Sequence, residues 1–371
     1  MVTPTLSQAS PERGDNNEEP ADHIMPRRSS RVRKPPGWQL SGNWGEKRKG
    51  YHAITRSSEL FFRSVCLFLL LCTRPCNLPL NYVCTTQHCF DHEKLVRFTL
   101  SVRKNYHKVP YHNWWHAFNV AHCMYRMLDH EQEIFTELER QALIIACICH
   151  DLDHRGYTNQ FMVKYETALA SLYSTSVMEQ HHFNQTVTIL QQDGHNIFDH
   201  LTSDVYKQVL GYIRHYILAT DLAQFFSNHK QVTRFCADQT FNIENTYHRN
   251  KLQAIMMSAC DLSACAKTWP VQKKTVEIIY EEFYAQGDLE KKKGGVPLPM
   301  MDRDNAHNLP KEQVNFLRIF CEPLYGTLAV IFPHLSPLLE NTKDNIHKWD
   351  NLAHGRPTTM WEVETSRIEK D

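Results

Sequence analysis

The sequence predicts an all-α protein, a compact multi-helix bundle over residues 84–355 with polar ends. Three observations carry this. From Asp91 onward, apolar residues recur three and four apart, the period of a helix. Helix-start and helix-stop residues fall at the ends of those runs. No alternating strand pattern, hairpin signal or internal repeat occurs. The 371 residues carry 41 Lys+Arg against 41 Asp+Glu, and zero formal charge argues against a protein built to grip nucleic acid or an acidic membrane. An apolar share of 42% supplies ample material for a core, which excludes wholesale disorder.

Residues 1–58, rich in Pro, Ser, Asn, Glu and Arg, lack a hydrophobic period and read as a disordered polar leader. Met1 opens on polar sequence, not a signal peptide. Residues 59–83 change character and fit no element. Their apolar run Ser64–Cys72 is nine residues, short of the ~20 that span a bilayer, so no transmembrane span is expected. Five of the twelve cysteines crowd residues 66–89 without a CxxC pair, and the rest sit in apolar runs. That usage fits free thiols in a cytoplasmic protein. Asp91 caps a helix with Leu95, Phe98 and Val102 on one face. Thr136 and Glu139 form a capping box before Ala142–Cys149, a run apolar all round and therefore buried. Amphipathic helices follow near 178–192, 204–219, 250–266, 272–286 and 311–332. Gly194 and Gly287 read as helix stops, Pro310 as a first-turn residue, and Gly287–Leu309 as a mobile loop. Residues 356–371 form a polar tail.

Of the 22 histidines, eleven lie between His107 and His200. Histidine is the commonest metal ligand and the usual proton-transfer group near neutral pH. His112 and His116 stand four apart, and on a helix they would share a face. His150 and His154 repeat the spacing and enclose Asp151 and Asp153 at the end of the buried helix. Glu179, His181 and His182 form a third cluster, and Asp261 is an acid in an apolar stretch. Any one of these alone reads as a hydrogen-bonded core residue. Four together fit a hydrolytic centre for divalent metals. No GxSxG, GxxxxGK[ST], HExxH or strand-borne GxGxxG competes.

His112-Asn113-Trp114-Trp115-His116-Ala117, then His150-Asp151-Leu152-Asp153-His154-Arg155-Gly156, then Asp261 together resemble the signature of the class I 3′,5′-cyclic nucleotide phosphodiesterases. The resemblance runs from about Cys84 to Leu352. Val109–Asn113, Tyr173–Ser176, Met178–His182 and Met300–Asp304 look most like the type 10 branch, which acts on both cyclic AMP and cyclic GMP.

The resemblance implies hydrolysis of the 3′-phosphoester to the 5′-monophosphate, in cyclic nucleotide signalling. His116, His150, Asp151 and Asp261 would hold zinc. Asp151 would also bridge to a second ion, magnesium or manganese, with His154, Glu179 and Thr220 ordering its waters. Two cations would activate a bridging hydroxide and neutralise charge at phosphorus. His112 would be the general acid for the ribose 3′-oxygen, with Glu179 helping to keep it charged. Gln313, Phe316 and Ile279 would clamp the purine beside Tyr111, and a glutamine free to turn can pair with adenine or guanine. Ala264 stands where adenine-selective members tend to carry asparagine. The implied partners are the two nucleotides, with a homodimer as one assembly open to the chain.

Helices that precede this region in the family have no counterpart in residues 1–83, nor do the paired regulatory domains of type 10 relatives. Missing helices would expose apolar surface and weaken the domain. A catalytically silent regulator would be expected to have lost His112 or a ligand, and none is lost. A helical di-iron oxidoreductase would have no use for Gln313 and Phe316.

Overall fold

The structure, a computed structural model, describes residues 90–131 and 134–358. The polar leader, the unassigned segment 59–83 with its apolar run, the five crowded cysteines and most of the tail lie outside these residues. Every regular element among the described residues is helical. The element order is α1 (His92–Lys104), α2 (Trp114–His130), α3 (Glu137–Cys149), α4 (Asn159–Lys164), α5 (Ala168–Leu172), α6 (Val177–Leu190) and α7 (Ser203–Leu218). It continues through α8 (Leu222–Ala237), α9 (Thr246–Asp261), α10 (Trp269–Lys292), α11 (Leu309–Phe316), α12 (Glu322–Ile331) and α13 (Ser336–Ala353).

Local chemistry sets the boundaries. Asp91 accepts from the Lys94 amide at 2.9 Å and opens α1, which buries Leu95, Phe98 and Val102. At Thr136 both halves of the capping box are present. The helix it opens, α3, buries every residue from Glu139 to Cys149. It packs against α2 on one side and α7 on another, and so forms the centre of the core. Removing each such Leu or Ile side chain from water contributes ~1.5–3 kcal/mol. The end of α3 is therefore held rigidly, and His150 follows directly from it.

The region predicted as a mobile loop is ordered. Helix α10 runs through Gly287 to Lys292, and two short 3-10 turns, Pro299–Met301 and Arg303–Asn308, cover its C-terminal half. Lys291 pairs with Asp302 and Asp304, while Arg303 reaches Glu281 and Asp288 and lies over the Tyr284 ring. Gly287 is not a stop but a point of close approach. A Cβ there would lie 1.9 Å from the Met301 carbonyl oxygen. Gly287→Ala should therefore destabilise the protein by about 1–3 kcal/mol through overpacking, against the ~1 kcal/mol that helix propensity alone would add. It should also raise KM, because Met300 and Met301 line the cavity described below. Urea denaturation and steady-state kinetics check both, and a more stable variant would refute the packing argument.

The predicted helix 311–332 is one continuous run with a fault in it. Between α11 and α12, residues Leu317–Cys321 form a π turn. Pro323 has no amide proton and its ring opposes the carbonyl four residues back, that of Ile319, so the ladder widens there. By length and composition the stretch Arg303–Ile331 is apolar enough to cross a membrane. The expectation of no spanning segment is thus not supported by composition alone. Here the stretch packs on α13 and carries Gln313 and Phe316 to a cavity.

Candidate active site

A cavity of about 650 Å³ is lined by both halves of the predicted site: His112, Asp151, His154, Glu179, Thr220 and Asp261, and also Tyr111, Ile279, Gln313 and Phe316. Three helix ends build its polar part. His116 lies in the first turn of α2, His150 and Asp151 follow α3, and Asp261 ends α9. His116 Nε2 lies 2.9 Å from Asp261 Oδ1 and 3.4 Å from Asp151 Oδ2. His150 Nε2 is 3.2 Å from each of the same two oxygens. The four ligand atoms fall within 4.8 Å of one another.

The cluster fits a cation. His150 Nδ1 donates to the Cys147 carbonyl at 2.8 Å, so its Nε2 lone pair faces the centre. Asp151 Oδ2 is fully buried and has no hydrogen-bond partner. Unshared lone pairs converging on one point in a buried place are costly unless something positive sits among them. A second group, Asp151, His154 and His182, adjoins the first through the shared Asp151. Each group could hold a divalent ion, and Asp151 is common to both.

His112 lies before α2, whose N-cap is Asn113, so the helical-face reading of His112 and His116 does not hold. Their rings still approach to 5.7 Å because the chain turns sharply ahead of the cap. Likewise, His150 and His154 belong to the turn after α3 and share no helix.

The partner of His112 is not Glu179. Glu282, on α10, accepts from His112 Nδ1, and its other oxygen accepts the backbone amides of Tyr111 at 2.9 Å and His112 at 3.2 Å. Burial disfavours charge on His112, but the Glu282 hydrogen bond and the nearby Asp151, Glu282 and Asp261 carboxylates outweigh it and raise the imidazole pKa. Burial raises Glu282, yet the bond to His112, the charge on that ring and the Tyr111 amide together outweigh it and hold its carboxyl at about 2. Glu282's share of stability is thus complete above the ordinary value of 4.5 and is lost as pH falls towards about 2. His112's share is complete below 6.5 and is lost as pH rises through its raised value. His154 stacks on His112 with centroids 4.2 Å apart, and burial, then the charge on His112, drives it down to about 3.

Glu179 instead accepts from Asn159 Nδ2 at 2.8 Å, and burial, then Asp221, raises its carboxyl to about 7. Thr220 Oγ1 donates to the Ile217 carbonyl at 2.8 Å and lies on the same wall. Of the third cluster, His182 faces Asp151, whereas His181 turns to Asp153 at 2.8 Å. At the apolar end, the Phe316 ring lies tilted against Phe320 with centroids 5.1 Å apart, and Gln313 Nε2 donates to the Tyr280 hydroxyl at 3.5 Å. Glu282, Tyr280 and Gln272 line the cavity and were missed from sequence. Glu281-Glu282 reads as a solvated helix face, and only the contact across 170 residues shows otherwise.

Residues 111–342 match the protein family described as 3′5′-cyclic nucleotide phosphodiesterase. The chain is 54% identical over 264 residues to the "Probable 3′,5′-cyclic phosphodiesterase pde-5" of Caenorhabditis elegans, covering 71% of this chain and 36% of that protein. It is 41% identical over 315 residues to the "cGMP-specific 3′,5′-cyclic phosphodiesterase" of Drosophila melanogaster, covering 84% of this chain and 28% of that protein. It thus spans about a third of the length of these curated relatives. Among solved structures, the phosphodiesterase domain of the RhoPDE fusion protein from the choanoflagellate Salpingoeca rosetta superposes with a TM-score of 0.73 at 29% identity. That match covers 79% of this chain and 91% of that one.

Proposed function

The chain belongs to the 3′5′-cyclic nucleotide phosphodiesterase family, and from that premise we propose that it hydrolyses cyclic AMP and cyclic GMP to their 5′-monophosphates. One observation carries this reading: a single cavity is lined by Asp151 and Asp261, the two carboxylates of the His/Asp cluster, by His112 and by Gln313 with Phe316. His116, His150, Asp151 and Asp261 would hold zinc, and Asp151 with the water-ordering side chains His154, Glu179 and Thr220 would serve a magnesium or manganese ion. Such ions, when bound, activate water and neutralise charge on phosphate oxygens.

The protein's own groups do the rest. His112 uses Nδ1 to bind Glu282, which leaves Nε2 to give its proton to the departing ribose 3′-oxygen. The Glu282 carboxylate keeps that imidazole charged until the proton is needed, a role the sequence resemblance assigned to Glu179. Neutral His154, stacked beside it, lets the charge persist without repulsion. Phe316 and Ile279 present apolar faces to a purine, Gln313 supplies donor and acceptor to its edge, and Tyr111 walls the ribose side.

The type 10 likeness belongs to this proposal. The relatives' names specify cyclic GMP or no base at all. Ala264 lines the cavity as an apolar residue, which supports tolerance of both purines. Cytoplasmic residence is likewise proposed, supported by Cys123, Cys147, Cys149, Cys236, Cys260, Cys265 and Cys321, which form no disulfide among the described residues. So is a homodimer, which light scattering of the purified chain would test. The assay that decides the function follows release of AMP and GMP by the purified chain with zinc and magnesium. Both products should form, and chelation should abolish them. Two bound divalent ions with no hydrolysis of either nucleotide would sink the reading.

A further inference from the structure

Between Asp151 and His154 the chain makes a turn that most residues resist. Asp153 stands there at φ +62°, in the left-handed region that a side chain with a Cβ enters only at a cost. Its amide donates to the Asn105 carbonyl at 3.1 Å, and the His154 amide closes back on the Asp151 carbonyl at 3.0 Å. Asp151 and His154 so reach one place, where with His182 their ligand atoms lie within 4.8 Å of one another.

The Asp153 side chain holds this turn. An ionised carboxylate only accepts, and this one takes three donors. Oδ1 accepts from His107 Nε2, while Oδ2 accepts from His181 Nε2 at 2.8 Å and from Arg155 at 3.0 Å. His107 follows α1 and His181 lies on α6, so one carboxylate ties the turn to two separate elements. The tie to α6 bears on the ligands directly. His182, next to His181, donates through Nδ1 to the Leu152 carbonyl and sets Nε2 3.8 Å from Asp151 Oδ1. Asp153, His107 and His181 do not line the cavity, so their effect is on the ligands and not on a substrate.

Resting on the proposal that Asp151 serves a second divalent ion, we infer that Asp153 is a positioning residue for that ion alone. By tying the turn to His107 and to His181 it fixes Asp151, His154 and His182 against one another. The other group has supports of its own: His116 is in the first turn of α2, Asp261 ends α9, and His150 is held by the Cys147 carbonyl. Loss of the Asp153 ties therefore weakens one position and spares the other.

The test titrates manganese into zinc-loaded protein, reading free manganese by electron paramagnetic resonance and counting zinc by elemental analysis. Glycine fits a left-handed turn without strain but carries no tie. Asp153→Gly should therefore weaken manganese binding by about 10–100-fold, the usual cost of losing a group that orients ligands, and keep its zinc. His107→Ala removes one tie from outside the turn and should cost about two- to tenfold, the worth of one hydrogen bond. Added to Asp153→Gly, it should cost nothing further, because its partner is already gone. Unchanged manganese affinity in Asp153→Gly would show that the shape of the turn suffices, and would overturn the inference. Loss of zinc in step with manganese would make Asp153 a packing residue for the whole loop and overturn it too, as would full additivity of the two changes. Should Asp153→Gly fail to fold, His107→Ala decides alone, and unaltered manganese binding there refutes the tie. An unmodified chain that binds zinc but no manganese would instead bring down the second-ion reading, and the inference with it.

Discussion

Replacing Asp261 with alanine is expected to strip the metal centre and lower kcat/KM by at least about a thousandfold. The carboxylate faces both imidazoles, at 2.9 Å from His116 Nε2 and 3.2 Å from His150 Nε2, and it is one of two carboxylates in the group of four that could hold a metal ion. Residues that only orient ligands cost about 10–100-fold in metal affinity when changed, so loss of a ligand should cost at least the upper value. Activity falls further because charge stabilisation at the reacting phosphate goes with the ions, and one such contact is worth about 10²–10³ in kcat. Two readouts need no turnover. Elemental analysis after dialysis should show substoichiometric metal in the variant. Zinc added to chelator-stripped protein should raise Tm in the unmodified chain and not in Asp261→Ala, since only a tightly bound ion stabilises the folded state by mass action. A variant that retains its metal complement while losing turnover would show that Asp261 acts on substrate and not on the ion.

How far the sequence foretold this depends on how local each feature is. Asp91, Thr136 and Glu139 announce helix starts because a cap is a contact between residues three apart. The all-apolar run 142–149 announces a core helix because burial on every side leaves no polar face. The proposed ligand set came from likeness of motif and its four side chains do converge, although the helical rationale failed at His112, which precedes the α2 N-cap. What sequence could not show are contacts between distant segments. Gly287 looks like a helix stop until Met301 is seen lying over it, and the stretch to Leu309 looks loose until Lys291 and Arg303 are seen tying it down. Glu179 was assigned to His112 for the same reason: an acid near a histidine cluster was visible, whereas Glu282 was one of two adjacent acids on an ordinary amphipathic helix.

That reassignment yields a contrast sharper than loss of activity. His112→Ala should lower kcat by about 10²–10⁴, the usual worth of a positioned general acid, while metal content stays that of the unmodified chain. Glu282→Gln should act differently. The amide keeps an acceptor for His112 Nδ1 but removes one of the charges that together outweigh burial. A hydrogen bond to a charged group is worth about 1.5–3 kcal/mol, so the imidazole pKa should drop by about 1–2 units. The acid must be protonated to donate, so activity declines as pH rises through the His112 pKa. Lowering that pKa shifts the alkaline limb of the kcat profile downward by the same amount. At pH 8 the variant should then be slower by about 10–100-fold, with much of the deficit recovered near pH 6. Glu179→Gln, which touches Asn159 and not His112, should leave that limb where it is. A uniform loss across pH in Glu282→Gln would mean that the carboxylate merely fixes the loop at Tyr111 and His112. A shift in the alkaline limb confined to Glu179→Gln would return the role to the residue that the sequence resemblance first assigned.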